Sequence, residues 1–257
     1  MKQNDLNELL SKVPQVTLLF WITKIFATTF GETAGDAVSM SLNLGYLVST
    51  FIFAFVFIAF VIFQIRAETY RPYLYWFTII ASTTVGTTLA DFVDRSLGIG
   101  YLGGSSLLLS LVLLSLYGWY RVEGSISPHI QKPRAELFYW ITITFSQTLG
   151  TALGDWSSDT AGLGYTGGIM LYVVLLLIVT VLYFFTRTSR VLLFWTAFVL
   201  TRPLGAVVGD FLDKPIDHGG LALSRFAASA VLMIAILICI YISGRVNGQK
   251  VIEAKSH

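Results

Sequence analysis

The sequence predicts an all-α integral membrane protein of eight transmembrane helices, built from four tandem two-helix repeats. Three observations support this fold class. The chain is 55% hydrophobic and only 12% charged, which is about half the charged share of a soluble domain. Eight apolar stretches each have roughly the 20 residues that a helix needs to cross a bilayer. One short motif also recurs four times at nearly constant spacing.

The eight predicted spans are helices, because backbone polar groups in lipid must be paired within the segment. They do not alternate polar and apolar residues as the strands of a membrane barrel do. The spans cover approximately residues 15–35, 44–65, 73–92, 101–120, 136–155, 164–186, 190–211 and 221–243. We therefore expect residues 1–257 to form a single membrane domain.

Each repeat carries the motif Gly-x-x-x-(Gly/Ala)-Asp, ten residues after the tryptophan of an aromatic–Trp pair. The motif runs from Gly31 to Asp36, Gly86 to Asp91, Gly150 to Asp155 and Gly205 to Asp210. The repeats cover about 13–66, 70–121, 134–187 and 189–244, and the long loop 121–135 separates the second from the third. This spacing predicts two halves of two repeats each (2+2), a layout known among transporters.

The positions of Lys and Arg in the loops predict the orientation. Most of these cations, such as Arg66 and Arg121, lie on the side of the N-terminus, and few, such as Arg95 and Lys214, lie on the other side. Positive residues mark the cytoplasmic side of a membrane, so both termini are expected in the cytoplasm. Residues 1–11 lack the features of a cleaved signal peptide, and the expected location is the cytoplasmic membrane.

The small residues of the motif predict close packing between helices. Small residues four positions apart let helices approach each other in lipid, although glycine also permits a broken helix at the site. The packing glycines are Gly31, Gly35, Gly86, Gly150, Gly154, Gly205 and Gly209.

An acidic residue recurs at the same place in every repeat, although an aspartate at the centre of a membrane helix costs about 2.5–3.5 kcal/mol. The candidate ion-binding and metal-ligating residues are Glu32, Asp36, Asp91, Asp155 and Asp210. Carboxylates suit hard cations such as Mg²⁺, Ca²⁺, Mn²⁺ and Na⁺. The alternative is hydration at the outer end of the span, because each aspartate lies about 20 residues from the start of its helix. The neighbouring Asp94, Asp159 and Asp213 are interpreted as surface residues.

Two cations lie inside odd-numbered spans. Lys24 precedes Glu32 by eight residues and Arg202 precedes Asp210 by eight, so each pair falls on roughly one side of its helix. We expect Lys24 and Arg202 to be charge partners of the acidic residues. They either neutralise excess negative charge or give way to a bound cation.

Several functions are not expected. The sequence has no basic patch with interleaved aromatic residues, so nucleic acid is not an expected partner. It has no catalytic triad, zinc-protease motif or nucleotide-binding glycine loop, so neither an enzyme nor a resident cofactor is expected. The expected partners are the lipid bilayer and an inorganic cation, and the sequence leaves the oligomeric state open.

The chain resembles a bacterial family of uncharacterised membrane-anchored proteins built from a two-span membrane repeat of unknown function. The resemblance rests on the Gly-x-x-x-Gly-Asp unit and on Lys12–Pro14 leading into Phe20–Lys24. It implies a bacterial membrane location and a repeat fold, but no activity. The fourth repeat departs from the pattern, because it has Arg202-Pro203 before its glycine and Gly220 where the other repeats have tyrosine.

These features predict a transporter or exporter of a hard cation in the inner membrane, with manganese as the first candidate. The cation would bind the carboxylates between the odd-numbered helices, and exchange with protons would release it because protonation removes the charge of its ligands. Two alternatives stay open: a channel or carrier for protons or monovalent cations, and a scaffold subunit that transports nothing.

Overall fold

The computed structural model describes residues 12–127, 130 and 132–255, with side chains described as far as Arg245. This part of the chain is helical and contains no strand. Its long helices are α1 (Leu18–Asp36), α2 (Tyr46–Arg66), α3 (Pro72–Asp91), α4 (Tyr101–Glu123), α5 (Pro133–Asp155), α6 (Gly164–Phe185), α7 (Arg190–Asp213) and α8 (Arg225–Lys255). The all-helical prediction is therefore confirmed. The predictions made for residues 1–11 and for the positions of the two termini lie outside the described residues.

Glycine and proline explain several helix starts. Pro72 and Pro133 occupy the first turns of α3 and α5, where the missing N–H costs no hydrogen bond. Gly45 and Gly100 precede α2 and α4 with φ of 76° each, a backbone conformation that other residues rarely adopt. The turns before α2 and α4 therefore depend on these two glycines.

Three of the four inner helices end in the same unusual way. A π-helical turn follows α1, α3 and α5 directly, at Ala37–Ser41, Phe92–Ser96 and Trp156–Thr160. The fourth, α7, ends instead at Lys214-Pro215, and a short 3₁₀ helix, Ile216–His218, follows. These turns were not predicted. Such turns are rare and often occur at functional sites, and here they directly follow the motif aspartates of the first three repeats.

Five helices are long and apolar enough to cross a membrane: α2, α4, α6, α7 and α8 as far as Arg245. Large apolar side chains on α2, α4 and α6 are exposed, among them Phe51, Phe55, Leu113 and Phe184, which is what a lipid-facing surface requires. The inner helices α1, α3 and α5 are not apolar enough to be counted among them, because many of their buried residues are threonine, serine or acidic. The structure therefore supports a membrane protein, and the crossing of all eight helices stays a prediction.

The odd-numbered helices form a closed ring in the order α1, α3, α5 and α7, with α7 packing back against α1. Each outer helix packs against the inner helix of the following repeat: α2 on α3, α4 on α5, α6 on α7, and α8 on α1. The expected division into two halves is thus replaced by one continuous ring. Each inner helix packs against both of its neighbours in the ring, so no interface of the ring forms a boundary.

The motif glycines explain why the ring closes. A Cβ added to Gly31 would lie within 3.0 Å of Thr83, and the same holds for Gly86 with Gln147, Gly150 with Arg202 and Gly205 with Thr28. Each partner lies three residues before the motif glycine of the neighbouring inner helix. A single packing contact is therefore used four times, as expected for glycines that let helices approach closely.

Aromatic side chains fill the end of the ring where the inner helices begin. Tyr75, Trp76, Tyr139, Trp140 and Trp195 are buried in one apolar cluster. The hydroxyl oxygens of Tyr75 and Tyr139 are hydrogen-bonded at 2.6 Å. The repeated tryptophans of the last three repeats therefore pack inside the bundle.

Candidate ion-binding site

Equivalent positions of the inner helices form polar layers inside the ring, because the motif recurs in register. The first layer contains Thr28, Thr83, Gln147 and Arg202; the second contains Glu32, Thr87, Thr151 and Ala206; the third contains Asp36, Asp91, Asp155 and Asp210. All twelve residues are buried. The four-residue step between layers keeps them on one face of each helix.

Arg202 lies at the centre of the ring and is fully buried. Its Nη1 and Nη2 both donate to Glu32 Oε2 at 3.1 Å. Nη2 also donates to Thr87 Oγ1 and Thr151 Oγ1, each at 2.6 Å. One side chain of α7 therefore contacts α1, α3 and α5. The expected partner was Asp210 on the same helix, but the structure pairs Arg202 with Glu32 of the first repeat.

Lys24 is also fully buried, one turn before the first polar layer. Its Nζ has no hydrogen-bond partner among the described residues and lies 4.1 Å from the centroid of the Phe198 ring. A cation over an aromatic face is stabilised by the negative charge of the ring face. The expected pairing of Lys24 with Glu32 is therefore not formed.

The four motif aspartates are at most 3% exposed, so they do not lie hydrated at the rim as the alternative interpretation required. Two cations connect them in pairs. Arg95 Nε lies 2.9 Å from Asp91 Oδ1, and its Nη2 lies 3.2 Å from Asp155 Oδ2. Lys214 Nζ lies 2.7 Å from Asp36 Oδ2 and 3.0 Å from Asp210 Oδ1.

The sequence interpretation missed the role of Arg95 and Lys214, which it used only for orientation. Each follows a motif aspartate by four residues, a spacing that places two side chains on the same helix face. That spacing was the available signal. Burial alone would lower the pKa of Lys214, but the carboxylates of Asp210 and Asp36 outweigh burial and raise it above its usual range.

Three of the five candidate residues come together at the interface of α1 and α7. Glu32, Asp36 and Asp210 each place a carboxylate oxygen within 4.8 Å of the others. Asp36 Oδ1 is buried and has no hydrogen-bond partner among the described residues. Asp91 and Asp155 lie instead on the α3 and α5 side, where Arg95 joins them. We call the first group, Glu32, Asp36 and Asp210, the carboxylate cluster.

Two of the three neighbouring aspartates differ from their expected surface position. Asp94 and Asp213 are 6% and 8% exposed, whereas Asp159 is exposed. Asp213 accepts a hydrogen bond from Arg225 Nε at 2.8 Å. The carboxyl group of Asp94 packs against Gly104 of α4, and a Cβ at position 104 would overlap it.

The charges inside the ring do not balance. Its buried acidic groups are Glu32, Asp36, Asp91, Asp155 and Asp210, and its cations are Lys24, Arg95, Arg202 and Lys214. These acidic groups outnumber the cations, and Arg225, whose Nη2 lies 3.8 Å from Asp36 Oδ2, is itself paired with Asp213 at 2.8 Å. A buried charge without a partner is costly, so an excess of buried carboxylates favours the binding of a proton or a cation.

The fold and this site define a helical protein of the membrane type, with five candidate membrane spans and buried carboxylates at the centre of a four-fold repeat. The model of the family described as Repeat of Unknown Function (DUF347) matches residues 19–70, 74–125, 138–189 and 193–248. The chain belongs to this family. The predicted internal repeat and the resemblance to an uncharacterised repeat family are thus confirmed, while the bacterial origin stays a prediction. No curated protein and no solved structure matches the chain.

Proposed function

We propose that this protein transports a hard cation across the cytoplasmic membrane and binds it in the carboxylate cluster. The observation that carries this proposal is the convergence of three buried carboxylates within 4.8 Å of one another, one of which has an oxygen without a partner. Oxygen ligands of this kind suit Mn²⁺, Mg²⁺ and Ca²⁺. Manganese is the first candidate for the transported cation. The protein then needs neither an enzymatic activity nor a resident cofactor.

The proposal requires that all eight helices cross the membrane. The inner helices α1, α3 and α5 are too polar to face lipid, but each is covered by an outer helix and by two inner neighbours. Polar residues in membrane helices face the interior of the bundle. In the proposed orientation both termini are cytoplasmic, the aromatic end of the ring faces the cytoplasm, and the motif aspartates lie towards the opposite side.

Release of the cation is proposed to follow from proton exchange. A carboxylate that gains a proton loses its charge and with it most of its attraction for a metal ion. The excess of buried carboxylates over cations also supports a second candidate, a channel or carrier for protons or monovalent cations. The two candidates can be distinguished by experiment, because the second predicts flux that is driven by a pH gradient and does not compete with Mn²⁺.

The test is binding and flux of Mn²⁺ with the purified protein, in detergent and in liposomes. Asp36→Asn and Asp210→Asn each remove one charged ligand, and we expect Mn²⁺ affinity and flux to fall by about tenfold or more. Asp159→Asn is the matched control, because Asp159 is exposed, and it is expected to behave as the wild type. Unchanged binding and flux in both cluster variants would contradict the proposal. Absence of flux for any ion would favour a scaffold subunit.

A further inference from the structure

We infer that Lys214 is a built-in substitute for the transported cation, held in the cluster by Gly220 and displaced when the cation binds. This inference rests on the proposed function and assigns the residue that competes with the cation. The ammonium group of Lys214 lies where the cation would bind. Lys214 Nζ contacts Asp36 and Asp210 at 2.7 and 3.0 Å, and both residues belong to the carboxylate cluster. A bound cation would need the same oxygens.

The positive charge of Lys214 stabilises the carboxylate cluster when no ion is bound. Asp36 and Asp210 are buried, and two buried carboxylates so close together repel each other unless a positive charge lies between them. Lys214 provides that charge from within the chain, whereas Arg225 Nη2 lies farther away, 3.8 Å from Asp36 Oδ2. A cation that enters takes over the same role, so the cluster is neutralised both before and after the exchange.

Lysine suits such an exchange better than arginine does. Its ammonium group is a compact charge on a flexible stem, whereas a guanidinium is a rigid fork that holds two carboxylates at once. Lys214 also lies directly after the end of α7, where the backbone leaves the helix with φ −73° and ψ 156°. Arg95, at the equivalent position of the second repeat, lies within a π-helical turn. The two cations therefore lie on different backbone conformations.

Gly220 accounts for the placement of Lys214. A Cβ at position 220 would overlap the carbonyl group of Lys214. The same loop is tied down by a hydrogen bond from Ala222 N to Lys214 O at 2.9 Å and one from Gly220 N to Pro215 O at 3.0 Å. The first three repeats have tyrosine at this place in the motif. Glycine in place of tyrosine in the fourth repeat thus lets the loop pack against the backbone of Lys214.

The first experiment measures Mn²⁺ affinity of the purified full-length protein by isothermal titration calorimetry at constant pH. Lys214→Met removes the competing charge, and we expect Mn²⁺ to bind about tenfold more tightly. Lys214→Arg replaces it with a stronger competitor, and we expect binding about tenfold weaker. Gly220→Ala should resemble Lys214→Met, because the loop can no longer pack on Lys214. Lys132→Met is the control for loss of a lysine, since Lys132 is exposed and pairs with Glu123.

The second experiment needs no substitution at Lys214 and so does not depend on the folding of a variant. The side chain of Lys214 is 13% exposed and paired twice, so an amine-reactive reagent should modify it slowly. Saturating Mn²⁺ should raise its rate of modification about fivefold or more, because the side chain moves to solvent. Modification of Lys132 should not change. Mass spectrometry reads both sites in one sample.

The outcomes separate this inference from the proposed function. If the wild type binds Mn²⁺ but neither the variants nor the modification rate changes as stated, Lys214 is not the competitor and the inference is wrong, while the proposed function stands. If Lys214→Met binds Mn²⁺ and the wild type does not, the inference is supported in its strongest form. If neither binds Mn²⁺, Mg²⁺, Ca²⁺ or Na⁺, both are wrong.

Discussion

Two opposite interfaces of the ring carry the same arrangement with different results. At the interface of α3 and α5, which we call the Arg95 junction, Arg95 joins Asp91 to Asp155. At the interface of α7 and α1, the Lys214 junction, Lys214 joins Asp210 to Asp36. In both, the cation follows the first aspartate by four residues and reaches the aspartate of the next repeat in the ring.

The difference lies in the layer next to the aspartates. The Lys214 junction has Glu32 there, whereas the Arg95 junction has Thr87 and Thr151. The first junction therefore has three carboxylates and a movable cation, and the second has two carboxylates held by a rigid guanidinium. One repeated backbone has thus produced a fixed link on one side and a site suited to exchange on the other. A few side chains decide between them.

Arg202 connects the two junctions, and its loss is expected to have the largest effect. Arg202→Met leaves the buried carboxyl group of Glu32 without its cation and removes the donor to Thr87 and Thr151. Loss of one partner of a buried ion pair costs about 3–5 kcal/mol. Unfolding of the purified protein in detergent measures this cost. Adding Glu32→Gln should recover part of the stability, because the unpaired charge is then gone. A single variant as stable as the wild type would show that the two junctions are not connected through Arg202.

Alanine at a motif glycine tests whether the two junctions are packed equally tightly. The added Cβ of Gly205→Ala would overlap Thr28 more severely than that of Gly86→Ala, which would lie 2.9 Å from Gln147. Overpacking of this kind typically costs about 1–3 kcal/mol. We expect both variants to lose stability and Gly205→Ala, at the Lys214 junction, to lose more.

Gly244→Ala is the control for this pair, because a Cβ at position 244 meets no atom within 4 Å. It should leave the unfolding midpoint unchanged or slightly raised. Equal losses in Gly205→Ala and Gly86→Ala would mean that the two junctions do not differ in packing. No loss in either would contradict the role of the glycines in closing the ring.

The smallest effect is expected outside both junctions. Lys132 pairs with Glu123 at 3.2 Å, but the lysine side chain is 75% exposed. Such surface pairs contribute about 0–1 kcal/mol, so Lys132→Met should change stability little and in a salt-dependent way. The same unfolding measurement, repeated at low and high salt, provides the baseline against which the buried pairs are judged. A loss as large as that of Arg202→Met would invalidate the comparison of buried with exposed pairs.

Much of the candidate site was predictable because its signals are local. The recurrence of Asp36 and its three counterparts follows from counting residues along the chain. The i,i+4 pairs of Arg95 with Asp91 and of Lys214 with Asp210 have the same local origin. Contacts between repeats were not predictable in this way. Arg202 and Glu32 are 170 residues apart, and Lys214 and Asp36 are 178 apart.

By itself the sequence determined a helical membrane protein with four repeats, closely packed glycines and acidic residues at fixed positions. These properties depend on composition and on spacing within one helix, which neighbouring helices do not alter. Only the tertiary structure decided that the inner helices close into one ring and that Arg202 pairs with Glu32. It also decided that Lys214 lies among the carboxylates. Those choices depend on which helices become neighbours, and a motif repeated at the same spacing in every repeat leaves that open until the last helix packs against the first.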